Sequence, residues 1–460
     1  MKDQKTPDYI YENKSAAHTM SEQRIQDAFG FCEGYKAFMN QAKTEREATK
    51  FILNQAVTKG YKPFSFSGSY QTGDRLYFNN RGKAVILAIV GQESLEQGVR
   101  IVASHIDAPR LDLKPRPLYE DGKMAFFKTH YYGGIKKYQW PTVALALHGT
   151  VIKADGTSVD VCIGEEESDP VFYINDLLPH LDRNGQKKIS EYIPAENLNV
   201  LVGSLPLDEN TKDPIKTKVL ALLQEKYDIV EEDLFSSELC VVPAAKPRDV
   251  GLDRSLIAAY AHDDRVCAYT SLQAMLEINN TPKYTTVCVF ADKEETGSES
   301  NTGLNTHFLY DFICDLAQTQ GANPRKTWYN TKCLSADVNA CFDPNFSDVY
   351  ERLNAAYINH GVVITKYTGG GGKNSTNDAT AEFFGQVRSI LNANNVCWQS
   401  AELGKVDAGG GGTVAKYLAR LNADVIDIGV PVISMHAPLE VVSKLDVYNT
   451  YLAFSAFFAD

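Results

Sequence analysis

Two adjacent glutamates, Glu294 and Glu295, follow an apolar run over residues 285–291 that is typical of a buried strand. In open α/β sheets, ligands bind just beyond the carboxyl ends of the strands. Adjacent glutamates at such a place can divide the work, because one can bind a metal ion while the other activates water. For an isolated Glu-Glu pair the alternative is a solvated acidic loop. The residues at the ends of the other predicted strands favour the metal-binding interpretation over the acidic loop.

Other predicted strands also end in residues that bind metals. The buried run over residues 99–104 leads to His105, and two residues later comes Asp107. A histidine that binds a metal through one nitrogen needs an acceptor for its other N–H, so Asp107 is the candidate orienting group for His105. The run over 331–336 leads to Asp337, and a long apolar strand pair predicted over 425–435 leads to His436. We expect these ends to meet at one edge of the sheet.

One further candidate position lies at the start of a helix and not at the end of a strand. Asp263 and Asp264 precede a predicted helix over residues 266–278 that leads to the strand before Glu294. Helix capping is the alternative role for either aspartate. The functional interpretation makes one of the two a bridging metal ligand on the same side of the sheet.

Together these residues form a candidate metal centre of two histidines and three carboxylates. This set, which contains no cysteine, suits Zn²⁺, Mn²⁺ or Co²⁺. Five ligands are too many for one catalytic zinc ion that keeps a water. They fit two ions about 3.5–4 Å apart that share a carboxylate and a hydroxide. A further carboxylate that is not a ligand would then take the proton.

The order of predicted strands and helices that carry these residues indicates an α/β fold, and one segment of the chain does not follow that order. Residues 44–47 open a helix, and residues 76–90 form strands before the run that leads to His105. Between about 116 and 248 no strand ends in a carboxylate, and residues 142–163 resemble a β-hairpin region. We interpret this segment as an inserted domain, separate from the sheet that carries the chemistry. His180 lies within it, where a structural or surface role is favoured.

Two runs of four glycines, residues 369–372 and 409–412, follow in the second half of the chain. Ordering a run of glycines on folding costs a large amount of backbone conformational entropy. Such a run is expected where the backbone must approach a ligand closely. For the first run a flexible loop is an equal alternative. The second precedes a predicted helix over 413–421, so the amides of Gly410 and Gly411 could face an anionic or carbonyl group of a substrate.

The composition excludes several classes of protein. The net charge of −12 over 460 residues argues against nucleic-acid binding. The sequence contains no stretch of about 18 apolar residues, so no membrane span is expected, and the polar N-terminus predicts no signal peptide. The nine cysteines are scattered, without Cys-x-x-Cys, so reduced core residues in a cytoplasmic protein are expected.

Five motifs in order along the chain resemble those of the aspartyl aminopeptidase/aminopeptidase I family of metallopeptidases, nearest to its bacterial aminopeptidase 1 branch. They are Ala103-Ser104-His105-Ile106-Asp107-Ala108-Pro109-Arg110, His262-Asp263-Asp264-Arg265, Asp292-Lys293-Glu294-Glu295-Thr296-Gly297-Ser298, Ser335-Ala336-Asp337 and Ser434-Met435-His436. The resemblance spans essentially the whole chain. It implies a zinc-dependent aminopeptidase that removes N-terminal residues from peptides.

The resemblance also implies an architecture. A mixed-sheet α/β catalytic domain flanked by helices would comprise residues 1–115 and 249–460, and a β-rich dimerisation domain would occupy residues 116–248. Dimers would assemble into a tetrahedral dodecamer with inward-facing active sites.

Roles for single residues follow from the same resemblance. His105 and Asp337 would hold one Zn²⁺ ion, and Glu295 and His436 the other. Asp263 would bridge the two ions, while Mn²⁺ or Co²⁺ are alternative metals. Glu294 would be the general base, and Asp107 would orient His105. His180 matches a histidine that contacts substrate in a neighbouring subunit or serves as an additional ligand.

Two questions stay open at this stage. The basic residue expected to hold an acidic substrate side chain falls in residues 369–372, beside Lys373, so an acidic and a neutral N-terminal preference are equally compatible. Two alternative functions are a di-zinc deacylase that acts on N-acyl amino acids and a protein without catalytic activity that serves only as an assembly module. The complete ligand set argues against the last.

Overall fold

The structure is a computed structural model that describes residues 9–182, 188–208 and 210–460. Residues 1–8, the N-terminus in which no signal peptide is predicted, lie outside the described residues. The helices are α1 (Ala16–Thr19), α2 (Glu22–Gln41), α3 (Glu45–Thr58), α4 (Ile189–Tyr192), α5 (Pro214–Tyr227), α6 (His262–Leu276), α7 (Phe308–Thr319), α8 (Pro324–Asn330), α9 (Ala381–Ala393), α10 (Ala415–Ala419) and α11 (Lys444–Ala459).

The strands are β1 (Lys62–Pro63), β2 (Arg75–Asn80), β3 (Ala84–Ile89), β4 (Arg100–His105), β5 (Arg110–Asp121), β6 (Met124–Tyr132), β7 (Leu145–Ile152), β8 (Ser158–Ile163), β9 (Tyr173–Ile174), β10 (Val200–Gly203), β11 (Ser237–Pro243), β12 (Arg248–Val250), β13 (Leu256–Ala259), β14 (Thr286–Ala291), β15 (Lys332–Ala336), β16 (Asn339–Ala340), β17 (Val362–Thr365), β18 (Trp398–Ser400), β19 (Asp424–Gly429), β20 (Pro431–Ile433) and β21 (Glu440–Ser443).

A nine-stranded mixed sheet with the order β1-β2-β3-β14-β4-β15-β19-β17-β18 forms the centre of the catalytic part. Strands β14, β4, β15 and β19 are parallel to one another. In β3, residues 85, 87 and 89 pack into one core and residues 84, 86 and 88 into another. Helices α2, α3, α6, α9 and α11 cover the first face, and α7, α8 and α10 cover the second. Burial on both faces explains why these strands are continuous apolar runs.

The insert is built on a seven-stranded sheet with the order β8-β7-β11-β5-β6-β10-β9. Its pairings are antiparallel, and its separate core includes the apolar face of α5. This sheet uses residues 110–243, whereas the predicted limits of the inserted domain are 116 and 248. A third sheet, β12-β13-β21-β20-β16, lies in the catalytic part.

The predicted mixed α/β architecture is confirmed. The limits of the domains and the dimerisation role of the insert stay predictions. No helix in the described part of the chain is long and apolar enough to span a bilayer.

Candidate metal centre

The carboxyl ends of the parallel strands deliver most of the predicted ligands to one place. His105 is the last residue of β4, and Asp337 directly follows β15. Glu294 and Glu295 form a short 3-10 turn after β14. Parallel strands end at the same edge of a sheet, so these side chains meet although they are far apart in sequence.

Two further ligands come from outside the central sheet. Asp263 lies at the start of α6, as predicted. His436 follows β20, which belongs to the third sheet, so the expectation that it ends a strand of the main sheet is wrong. The strand pair predicted over 425–435 is present as β19 and β20, but β19 belongs to the nine-stranded sheet and β20 to the third sheet, and an apolar run does not show which sheet each strand joins.

Asp263 stands between the two histidines. Its Oδ1 lies 3.2 Å from Nε2 of His105, and its Oδ2 lies 3.1 Å from Nε2 of His436. On one side Asp337 Oδ1 is 3.9 Å from His105 Nε2, and on the other Glu295 Oε2 is 3.5 Å from His436 Nε2. Among the described residues, three groups of candidate ligands form, and within each group the ligand atoms lie within 4.8 Å of one another. Two of the groups share Asp263, and the third consists of His105, Glu294 and Glu295.

The cluster carries more negative charge than the surrounding protein balances. Burial raises the pKa values of Glu295 and Asp337 well above their ordinary values, and it raises that of Glu294 to about 7. Among the described residues, no lysine or arginine nitrogen lies within 4.0 Å of these carboxylates. Oε1 of Glu295 is buried and has no hydrogen-bond partner in the described part of the chain.

These observations fit divalent cations. Histidine nitrogens and carboxylate oxygens without thiolates are ligands that zinc accepts. Burial acts to lower the pKa of His436, but the hydrogen bond with Asp263 raises it to about 10. Without a cation, then, Asp263 stabilises a proton on the histidine, and a metal ion would occupy the position of that proton.

The predicted orienting group, Asp107, is fully buried beside His105. Nδ1 of His105 lies 3.1 Å from the backbone carbonyl oxygen of Asp107 and 3.3 Å from its Oδ1. Oδ1 accepts the backbone N–H of Glu294 at 3.1 Å, while Oδ2 accepts that of Glu295 at 3.2 Å. Burial acts to raise the pKa of Asp107, but the hydrogen bond from His105 keeps it below its ordinary value. Asp107 therefore holds both a ligand ring and the turn that carries the two glutamates.

The neighbouring Asp264 has a different role from Asp263. Its Oδ2 accepts the backbone N–H of His105 at 3.3 Å, and burial raises its pKa well above the ordinary value. Asp264 therefore supports the backbone of a ligand, whereas Asp263 faces both histidines.

Sequence reasoning missed Glu440, a buried carboxylate that supports two ligands. It accepts the backbone N–H of Asp263 at 3.0 Å and that of His436 at 2.6 Å. Burial raises its pKa to about 8. An acidic residue four positions after His436, at the start of an apolar strand, was the available signal.

Three turns around the cluster use left-handed backbone at residues other than glycine. The φ angles are +65° at Ala261, +70° at Lys293 and +66° at His436. Such conformations are costly and persist where the surrounding structure holds them, and they concentrate at functional sites. Lys293 directly precedes the predicted base Glu294, Ala261 lies two residues before Asp263, and His436 is itself a predicted ligand. The unfavourable backbone therefore lies where the direction of these side chains is set.

A cavity of about 450 Å³ opens onto the cluster. Gly410 and Gly411 line it, together with Lys416 from α10. A Cβ on Gly410 would lie 2.1 Å from the carbonyl oxygen of Gly369, so the two glycine runs pack directly against each other. This close approach explains the glycine at position 410.

Two residues considered for substrate binding lie elsewhere. The Lys373 ammonium pairs with Asp378 Oδ2 at 2.9 Å, and Lys373 does not line the 450 Å³ cavity. His180 is exposed on the insert and is not part of the cavity lining.

Comparison with known proteins places this arrangement in a family. The family model "Aminopeptidase I zinc metalloprotease (M18)" matches residues 38–458. A probable M18 family aminopeptidase 1 of Clostridium acetobutylicum is 46% identical over 460 residues, covering 98% of this chain and 99% of that protein. A crystal structure of an M18-family aminopeptidase from Thermotoga maritima has a TM-score of 0.93 at 45% identity, covering 98% and 99% of the two chains. The structure of the mApe1 dodecamer of S. cerevisiae shares the fold at 20% identity, with a TM-score of 0.77 and coverage of 95% and 97%.

Proposed function

Because this chain belongs to the aminopeptidase I (M18) family of zinc metalloproteases, we propose that the cluster around Asp263 is its catalytic centre and holds two Zn²⁺ ions. His105 and Asp337 hold one ion, Glu295 and His436 hold the other, and Asp263 is shared. The observation that carries the proposal is the position of Asp263, whose two oxygens face different histidines at 3.2 and 3.1 Å.

Bound divalent ions lower the pKa of water and polarise the substrate carbonyl. Glu294 acts as the general base that takes a proton from the attacking water and returns it to the leaving amine. One observation supports this role. Asp107 accepts the backbone N–H of Glu294 at 3.1 Å and so holds this carboxylate beside the proposed ligands, where a general base can reach the water.

The substrate is the N-terminal end of a peptide, which enters the 450 Å³ cavity. The backbone of Gly410 and Gly411 contacts the substrate main chain, since these glycines line the wall of the cavity and carry no side chains that would exclude it.

The chain assembles as a homo-oligomer in which dimers formed through the insert build a tetrahedral dodecamer. The related mApe1 of S. cerevisiae is a dodecamer, which supports an assembly of this size. Three exposed leucines, Leu177, Leu178 and Leu181, flank His180 on the insert, which is the composition of a surface that a partner covers. In that assembly His180 contacts substrate bound to the neighbouring subunit. The compartment is the cytoplasm, in keeping with nine free cysteines.

The experiment that tests the proposal compares two peptides after the protein is stripped with a chelator and refilled with Zn²⁺, Mn²⁺ or Co²⁺. One peptide has a free amino terminus, and the other is the same peptide N-acetylated. We expect hydrolysis of the free-amine peptide to return on refilling. Preferred hydrolysis of the acetylated peptide would instead identify a deacylase. Light scattering of the refilled protein reports whether the dodecamer forms.

A further inference from the structure

The insert reaches the metal centre through the end of one strand. Strand β6 ends at Tyr132, and the next two residues are Gly133 and Gly134. The carbonyl oxygen of Gly134 lies 2.9 Å from Nδ1 of His436, the ring nitrogen that does not face Asp263. The insert therefore touches one half of the ligand cluster directly, which is contrary to the expectation that it is separate from the chemistry.

On the other half of the cluster, the contact runs through Asp107. The hydroxyl of Tyr132 donates to Oδ2 of Asp107 at 2.6 Å, the shortest of the hydrogen bonds to that carboxylate. Asp107 in turn holds the ring of His105 and the backbone of the two glutamates. A carboxylate has about four acceptor positions, and the Tyr132 hydroxyl fills one of them in a site where Asp107 is fully buried.

The ring of Tyr132 is itself held in place. The guanidinium carbon of Arg110 lies 4.3 Å from the ring centroid, and the Lys293 ammonium lies 5.0 Å from it. The side chain is 8% exposed. These contacts involve the ring and do not need the hydroxyl, so the substitution Tyr132→Phe removes the hydrogen bond to Asp107 and leaves the packing unchanged.

We infer that Tyr132 is a positioning residue through which the insert sets the zinc affinity of the centre. Its hydroxyl fixes Asp107, and Asp107 fixes the ring of His105 together with the turn that carries Glu294 and Glu295. The inference rests on the proposed ligand assignment. It extends that assignment because a residue of the insert then controls metal binding in the catalytic sheet.

The test is a zinc titration of the full chain against a competing chelator, with the Tyr132→Phe variant compared to wild type. Loss of a group that directly supports a metal ligand typically weakens metal affinity by about 10–100-fold; Tyr132 acts through Asp107, so we expect a loss at the lower end of that range, about 10-fold. The control is Tyr227→Phe, which removes a hydroxyl that donates to the carbonyl of Cys162 at 2.8 Å elsewhere in the insert. This control should bind zinc as wild type does.

Thermal unfolding of the metal-free proteins separates positioning from stability. A purely structural role for Tyr132 would lower the unfolding midpoint without the metal and leave zinc affinity at the wild-type value, and that result overturns the inference. An equal loss of affinity in both variants overturns it as well.

A His105→Ala variant in the same titration tests the ligand assignment itself. If His105→Ala loses zinc and Tyr132→Phe does not, the proposed function stands and only the role of Tyr132 is wrong. If His105→Ala binds both ions at wild-type affinity, the assignment fails and the inference fails with it.

Discussion

Two clusters of buried carboxylates lie close together in this protein and are balanced in opposite ways. One is the metal centre. The other, which we term the domain seam, joins the catalytic part to the insert; its inner part consists of Lys43, Glu45, Lys83, Arg110, His148 and Glu165, and its exposed end is the pair of Arg46 and Glu238. In the seam, Glu45 pairs with Arg110 at 2.8 Å and with Lys83 at 3.5 Å. Glu165 pairs with Lys43 at 2.7 Å and with His148 at 3.0 Å.

The pKa values show the difference. Burial acts to raise the pKa of Glu45, but Arg110 and Lys83 lower it to about 2. In the metal centre, burial raises the pKa values of Glu295 and Asp337, and the lysines and arginines of the described chain lie beyond 4.0 Å. The protein supplies its own cations in the seam, whereas the described chain supplies no lysine or arginine to the candidate metal centre, which fits the proposed binding of cations there.

The largest effect is expected from Glu294→Gln, which tests whether one carboxylate of the metal centre serves the reaction and not metal binding. We expect the rate on a free-amine peptide to fall by about 10²–10⁴-fold, because a general base is lost, with zinc content unchanged. Turnover and zinc per chain are measured together. The control Glu299→Gln changes an exposed glutamate of the same loop and should retain activity. Full activity in Glu294→Gln would falsify the general-base role.

Glu45→Gln is expected to have the largest effect on stability. It removes the carboxylate that Arg110 and Lys83 share, while Arg110 keeps Asp112 at 2.7 Å and Lys83 keeps Glu238 at 3.3 Å and Asp292 at 3.6 Å. Because these partners remain, the free energy of unfolding should fall by less than the about 3–5 kcal/mol that leaving a buried charge unpaired costs. Zinc affinity should stay at the wild-type value, since Glu45 pairs with Arg110 and Lys83 and not with a proposed ligand, Asp107 or Tyr132. Denaturant unfolding and zinc titration measure the two quantities, and Glu225→Gln at an exposed position is the control. A protein that loses zinc but keeps its stability would contradict the contrast between the clusters.

The stability that Glu45 provides should also depend on pH in a defined direction. Its pKa is lowered from 4.5 to about 2 on folding, so the unfolded state binds more protons between these values. The stabilisation is therefore complete above about pH 4.5 and is lost as the pH falls toward 2. We expect the difference in unfolding free energy between wild type and Glu45→Gln to be constant from about pH 7 to about pH 5 and to shrink below. A difference that does not change down to about pH 3.5 would mean that the charge of Glu45 does not stabilise the fold.

The contrast also explains what could be predicted from the sequence. Three of the predicted ligands, His105, Asp337 and His436, follow apolar runs, and a polar residue at the end of a buried strand is visible without a structure. The local pattern does not distinguish Asp263 from Asp264, because both occupy the same helix start and only their contacts differ; the family resemblance alone selects Asp263.

The ion pairs of the seam and the contacts of the insert with the candidate metal centre could not be predicted from the sequence, and the reason is a different one. The helix start predicted at residues 44–47 is present, with a capping box formed by Thr44 and Glu47. Glu45, however, meets Arg110, which lies 65 residues away, and no local pattern encodes that pairing. Tyr132 ends an ordinary alternating strand, so its hydrogen bond to Asp107 depends on how two sheets are placed relative to each other.

The smallest effect is expected at the exposed end of the seam. Arg46 Nε lies 2.7 Å from Oε2 of Glu238, a geometry as short as that of the buried pairs, but the two side chains are 33% and 51% exposed. Water solvates both charges when the pair is broken, so Arg46→Gln should lower the free energy of unfolding by less than about 1 kcal/mol. Raising the salt concentration from about 0.15 to about 1 M should reduce even this difference, because screening shortens from about 8 to about 3 Å. A loss as large as that of Glu45→Gln would show that burial does not decide how much an ion pair of the seam contributes.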